Sequence, residues 1–138
     1  MIGPLLLDTC TCMWLMDNSP MTEAAVAAID ECADTRRPLY VSPISAWEVG
    51  NLERKGRFKA TLPARRWFES LRSAPGVKLC ELTADILFES SFLPGKLHKD
   101  PADRIIAATA REYGFTVMTR DRPLLDYGKE GYLSVLEC

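Results

Sequence analysis

The stretch Asp100-Pro101-Ala102-Asp103-Arg104-Ile105-Ile106-Ala107-Ala108-Thr109-Ala110-Arg111-Glu112-Tyr113-Gly114-Phe115-Thr116-Val117-Met118-Thr119 reads as a helix and a strand joined by one glycine. An Asp before a Pro is a favoured helix start, the carboxylate capping free amides and the ring sitting where no amide hydrogen is needed. Ala102, Ile106, Ala110 and Tyr113 then recur at helical spacing, Gly114 supplies the exit, and Phe115–Thr119 is dense in β-branched and aromatic residues. Outward from this unit the alternation repeats. Pro4-Leu5-Leu6-Leu7-Asp8 is a short unbroken apolar run, the mark of a strand covered on both faces, and a short helical stretch carrying Cys12, Leu15 and Met16 follows it. Ser19-Pro20 predicts a helix over 20–34, with Ala25, Val26, Ile29, Cys32 and Ala33 on its apolar side. Leu39-Tyr40-Val41 is a second strand, and Ser42-Pro43 starts a helix that runs to about Lys55 and ends at Gly56. Helical segments at 63–73 and 84–93, with strands at 77–79 and 133–136, complete the pass. Strands separated by helices imply an α/β domain spanning 1–138, a mainly parallel sheet with helices on both faces.

Charge and residue counts remove several function classes. Seventeen Lys and Arg against nineteen Asp and Glu leave a net charge of −2, which excludes a polybasic nucleic-acid binder, though a local basic patch remains open. Such a patch exists: residues 54–66 contain Arg54, Lys55, Arg57, Lys59, Arg65 and Arg66 and no acid, and Lys96, Lys99 and Arg104 lie near the start of the 100–113 helix. A run of this kind also serves as a plain solvated surface. The apolar run at Leu5 stops at Asp8, far short of a signal-peptide core or a spanning helix, and the five cysteines are odd in number. Together these features predict a soluble, unprocessed cytoplasmic protein with reduced thiols and no membrane attachment. Cys10 and Cys12 have no second pair to complete a zinc spacing. With His98 the only histidine, a two-histidine ribonuclease and a HEXXH hydrolase are excluded within one chain, and no Gly-x-Ser-x-Gly supplies a serine nucleophile. Any catalysis must rest mainly on carboxylates, with His98 expected at the surface or against RNA rather than as an essential base.

Four acids stand where a core-building pattern would not place them. Asp8 ends a strand of leucines, and Asp121 follows the 115–119 strand, so both fall at carboxyl ends of strands, where open α/β sheets bind ligands. At about 100° per residue, Glu48 lies about 40° from Ile44 and Asp103 about 60° from Ile106, inside the apolar stripes of their helices. Each acid taken singly also has a structural reading: Asp100 and Asp103 as a capping pair, Asp8 as a cap, Asp121 as a turn residue. Taken together, four converging carboxylates repel one another unless a divalent cation such as Mg²⁺ or Mn²⁺ joins them, and oxygen ligands suit those ions.

The segments Leu5-Leu6-Leu7-Asp8-Thr9, Ser45-Ala46-Trp47-Glu48, His98-Lys99-Asp100-Pro101-Ala102-Asp103-Arg104 and Thr119-Arg120-Asp121 resemble the ordered motifs of PIN-domain proteins. The His-x-Asp-Pro-x-Asp-Arg block is similar to that of VapC-type toxins from toxin–antitoxin pairs. The resemblance implies a three-layer α/β/α sandwich and a Mg²⁺-dependent endoribonuclease. Its catalytic and metal-holding quartet would be Asp8, Glu48, Asp103 and Asp121, with Asp126 a rival for the last place. Thr9, Ser45, Thr119 and Asp100 would be supporting residues, and Arg54, Lys55, Arg57, Lys99 and Arg104 candidate RNA contacts. It further implies transfer or ribosomal RNA as substrate, a homodimer, and a small cognate antitoxin in a hetero-oligomer. Met13, Trp14, Trp47, Phe58, Trp67 and Phe68 are divided between core and interface. Hydrolysis by metal-activated water would leave 5′-phosphate and 3′-hydroxyl ends. Two other readings stand beside this one: a Mg²⁺-dependent phosphatase or phosphotransfer domain, for which the Asp-x-Asp pattern is missing at Asp8, and a non-catalytic RNA- or protein-binding module whose acids only cap helices.

Overall fold

The structure, a computed structural model, describes residues 3–138. Strands β1 (Leu5–Leu7), β2 (Leu39–Val41), β3 (Val77–Leu79), β4 (Thr116–Thr119) and β5 (Ser134–Glu137) form one all-parallel sheet in the order β3-β2-β1-β4-β5. Leu6 lies opposite Tyr40 on one side and Val117 on the other, so the triple leucine is the centre of the sheet. The helices are α1 (Thr9–Met16), α2 (Glu23–Asp34), α3 (Ile44–Arg54), α4 (Ala64–Arg72), α5 (Ala84–Ser91), α6 (Pro101–Tyr113) and α7 (Arg122–Lys129). Among the described residues no helix is long and apolar enough to cross a membrane.

The pleat sorts alternate residues to opposite faces, which is why an unbroken apolar run is needed at the centre. Leu5, Leu7, Val41 and Met118 pack on one face with Cys12, Ala25, Cys32, Val49, Trp67, Phe68 and Leu71 of α1 to α4. Leu6 and Val117 pack on the other with Ile106, Ala107 and Ala110 of α6 and Leu124 and Tyr127 of α7. Three layers result, as the sequence motifs imply. All five cysteines are free.

The structure departs from the sequence reading in three places. First, α2 starts at Glu23 rather than at Pro20. Ser19 turns its amide to the Asp17 carboxylate (3.1 Å), while Thr22 Oγ1 accepts the Ala25 amide at 3.1 Å and becomes the cap. The buried side of α2 is then Ala25, Ala28 and Cys32, leaving Val26 and Ala33 exposed. Second, α7 carries no helix in the sequence reading. Its opening Asp121-Arg122-Pro123 repeats the cap-and-proline logic of α6, but its interior Gly128 argues against a helix. That glycine is required by packing: a Cβ there would lie 2.4 Å from Val135 Cγ2, so only glycine lets α7 lie against β5. Third, Trp47 points outward with 53% of its surface exposed, whereas Trp67 and Phe68 are core; the buried stripe of α3 runs through Ser45 and Val49.

Leu6 is fully buried at the sheet centre. Leu6→Ala is expected to lower the unfolding free energy by about 2–5 kcal/mol, and Trp47→Ala by less than about 1 kcal/mol, both read by urea denaturation.

Candidate active site

Two adjacent strands build the site. From β1 the chain moves to β2 on one side and later returns to β4 on the other, so the crevice beyond the carboxyl ends of β1 and β4 is the topological switch point of the sheet. Asp8 leaves β1 as the N-cap of α1, and Asp121 leaves β4 as the N-cap of α7, its Oδ2 accepting the Leu124 amide at 3.1 Å. Asp100 caps α6 through the amides of Ala102 (3.0 Å) and Asp103 (3.2 Å), which places Asp103 in the first helical turn. The capping readings and the convergent reading are therefore both true. The chain bends at each of these acids, and three helix N-termini meet at one sheet edge, where their dipoles favour negative charge.

Hydroxyls brace the carboxylates. Thr119 Oγ1 donates to Asp8 Oδ2 at 2.7 Å and accepts the Asp121 amide at 2.9 Å, joining the two strand ends through one oxygen. The Thr9 amide donates to Asp8 Oδ1 at 2.8 Å. Thr9 Oγ1 donates to Glu48 Oε1 and lies 2.7 Å from Ser45 Oγ. Because threonine has a single hydroxyl proton, Ser45 must donate to Thr9, and a Ser45-Thr9-Glu48 chain carries α3 to the start of α1.

Burial and mutual repulsion govern the charges. Burial pushes the Asp103 carboxyl up to about 8, helped by Asp8, Asp121, Asp100 and Glu48. Burial raises Glu48 to about 7 against the Thr9 hydroxyl that favours its charged form, and Asp8, Asp100 and Asp121 add to the rise. Asp8, only 3% exposed, is raised by burial as well, with the Thr119 and Thr9 hydrogen bonds opposing. The acids thus lie in one another's fields. Beside them the exposed Cys10 thiol is raised to about 12, by burial of the sulfur first and then by Asp8, Glu48, Asp103 and Asp121, which keeps it protonated.

The quartet of the sequence reading is thereby brought to one sheet edge. Asp126 is not part of it: it is exposed and faces Arg122 at 4.0 Å. The residue whose role sequence reasoning missed is His98, whose Nε2 lies 2.7 Å from Asp103 Oδ2. One donor atom each from His98, Asp103 and Asp121 lie within 4.8 Å of one another, a little wider than the roughly 4.2 Å that separates opposite donors of an ion bound at about 2.1 Å. The only available signal was its place in the same short motif as Asp100 and Asp103. Arg104 is also reassigned: its Nε and Nη1 donate to the carbonyls of Ser90 and Leu97, both at 2.9 Å, so this half-buried guanidinium holds the 92–99 loop instead of facing outward as an RNA contact. Arg54, Lys55, Arg57 and Lys99 are all exposed.

An all-parallel sheet with acids gathered at its switch point defines a class of α/β proteins, and sequence comparison specifies which. The chain belongs to the PIN domain family, whose model matches residues 5–130. It is 32% identical over 120 residues to Ribonuclease VapC22 of Mycobacterium tuberculosis, covering 87% of this chain and 88% of that one. Among solved structures it is similar in fold to VapBC2 from Rickettsia felis bound to a promoter DNA fragment, with a TM-score of 0.66 at 14% identity over 98% of both chains. DNA-bound VapBC from Salmonella typhimurium also gives 0.66, at 17% identity, over 99% of this chain and 98% of that one.

A raised carboxyl pKa makes a stability prediction of definite sign. Asp103 ionises near 3.8 in an unstructured chain and near 8 in the fold, so its contribution is fully present below about pH 4 and lost as pH rises to about 8. In cation-free buffer, Asp103→Asn is expected to raise the melting temperature above wild type near pH 8. Near pH 4 the two should melt together, as scanning calorimetry would show.

Proposed function

We propose that this protein is a divalent-cation-dependent endoribonuclease, the toxin of a toxin–antitoxin pair. The observation that carries the reading is the gathering of Asp8, Glu48, Asp103 and Asp121 at the switch point, with Asp8 and Asp103 nearly buried and all three raised carboxyls pushed upward mainly by burial. The 32% identity to a ribonuclease supports the substrate class, and the VapBC neighbours support the pairing.

The donor set fits a hard divalent ion, since it offers carboxylate oxygens whose repulsion such an ion would relieve. Asp8 and Asp103 would hold Mg²⁺ or Mn²⁺, with Glu48 and Asp121 completing its surroundings. When bound, the ion supplies an activated water and offsets charge on the phosphoryl oxygens. The chain's own groups do the rest. Thr119 keeps Asp8 and Asp121 in fixed relation, and the Thr9 hydroxyl donates to Glu48 Oε1. Arg54, Lys55, Arg57 and Lys99, exposed outside the acids, would hold flanking phosphates, giving binding that weakens as salt rises. Transfer or ribosomal RNA is the expected substrate class, the cytoplasm the expected setting, and a homodimer bound to a small antitoxin the expected assembly.

The test is cleavage of total RNA by purified protein with and without Mg²⁺ or Mn²⁺. Cleavage should require the ion, leave 5′-phosphate ends, and fall by about two orders of magnitude or more in Asp8→Asn and Asp103→Asn. Full activity in both variants, or 2′,3′-cyclic phosphate products, would overturn the reading. The product of a neighbouring small reading frame, added in equimolar amount, should suppress the cleavage.

A further inference from the structure

His98 brings a nitrogen donor to the acid pocket, and its place there is built. Arg104 Nη1 pins the carbonyl of Leu97, the residue immediately before His98, and Arg104 Nε donates to the carbonyl of Ser90 in α5. The Tyr127 hydroxyl of α7, on the same face of the sheet as α6, donates to the Pro94 carbonyl. One hydrogen bond thus ties the 92–99 loop to α6 and another ties it to α7, and the imidazole closes on Asp103 Oδ2 with a 2.7 Å contact. Its side chain is 37% exposed against 11% for Asp103, so the ring stands at the mouth of the pocket, where an ion arriving from solvent meets it. A ring nitrogen of His98 belongs to the same cluster as donor atoms of Asp103 and Asp121.

We propose that His98 contributes a nitrogen donor to the cation site and makes it select Mn²⁺ over Mg²⁺. The inference rests on the acid pocket being the cation site of the proposed nuclease, and goes beyond it by assigning which ion the pocket prefers and which residue decides. The physical basis is ligand character. Carboxylate oxygens and water serve both ions, whereas an imidazole strengthens binding of transition ions and does little for Mg²⁺, which demands near-ideal octahedral oxygen geometry and dehydrates reluctantly. The competing arrangement leaves His98 outside the ion's shell, donating Nε2–H to Asp103 Oδ2 and only orienting that carboxylate. That arrangement would strengthen both ions alike and leave their ratio unchanged, so the two are separable.

Since His98 is the only histidine in the sequence, any imidazole signal from tag-free protein has one source. Mn²⁺ and Mg²⁺ affinities are measured by calorimetry on wild type, His98→Gln and Asp103→Asn, and the Mn²⁺-loaded forms are examined by pulsed EPR for coupling to an imidazole nitrogen. The expected result is nitrogen coupling in wild type that vanishes in His98→Gln, with Mn²⁺ affinity falling about tenfold and Mg²⁺ affinity changing much less. Absence of the coupling in wild type, or an equal loss for both ions, overturns the proposal while Asp103→Asn still abolishes binding. If Asp103→Asn binds both ions as wild type does, the acid pocket itself is not the cation site and both readings fall. Retained near-ultraviolet circular dichroism in the variants ensures that lost binding is not lost folding.

Discussion

One hydroxyl couples the two halves of this molecule. Thr119 Oγ1 sits between the Asp8 carboxylate at the end of β1 and the Asp121 amide at the end of β4, and serves both with its donor and its acceptor capacity. Around it the structure gathers like charges that would otherwise separate. Carboxylates in a crevice of reduced polarity repel strongly and lose hydration together, so their pKa values are raised and the site is costly to the fold. What keeps it assembled is rigidity elsewhere: a fully parallel sheet with apolar residues packed on both faces, whose strand ends are not free to drift apart.

The acids serve two purposes with the same atoms. Asp8, Asp100 and Asp121 each terminate a helix and satisfy amides that would otherwise lack partners, and the same positions bring them to a common edge. The dual use lowers the cost of concentrating charge, because each carboxylate meets the positive end of a helix. The compensation is partial: burial raises the capping Asp8, and it raises Asp103 to about 8 and Glu48 to about 7. His98 enters the pocket by a different route, carried on a loop that Arg104 and Tyr127 hold down.

Much of this was legible in the chain alone, because it depends on local chemistry. The triple leucine specifies a strand with two covered faces, Asp-Pro specifies the start of α6, Gly114 its end, and the phase of Asp103 within an apolar stripe marks a carboxylate facing inward. The motif order resembling PIN proteins carried the quartet to residue level. What escaped has a common cause. The start of α2 turned on which of two hydroxyls, Ser19 or Thr22, was free to cap, and Ser19 was already engaged by Asp17. Helix α7 was hidden by Gly128, which makes sense only beside Val135. Arg104 looked like a free cation until the carbonyls of Ser90 and Leu97 were found around it.

The sequence by itself therefore determined the alternation of strands and helices, their main punctuation, and which acids were out of place, since propensity, capping and periodicity act over a few residues. Only the tertiary structure decided that Asp121 and not Asp126 joins the pocket, that Thr119 links two strand ends, and that His98 meets Asp103. Those outcomes depend on strand order and on how a loop is pinned to the two helices beside it. Contacts between residues far apart in the chain, or between a loop and the helix beneath it, have no periodicity for a one-dimensional reading to detect.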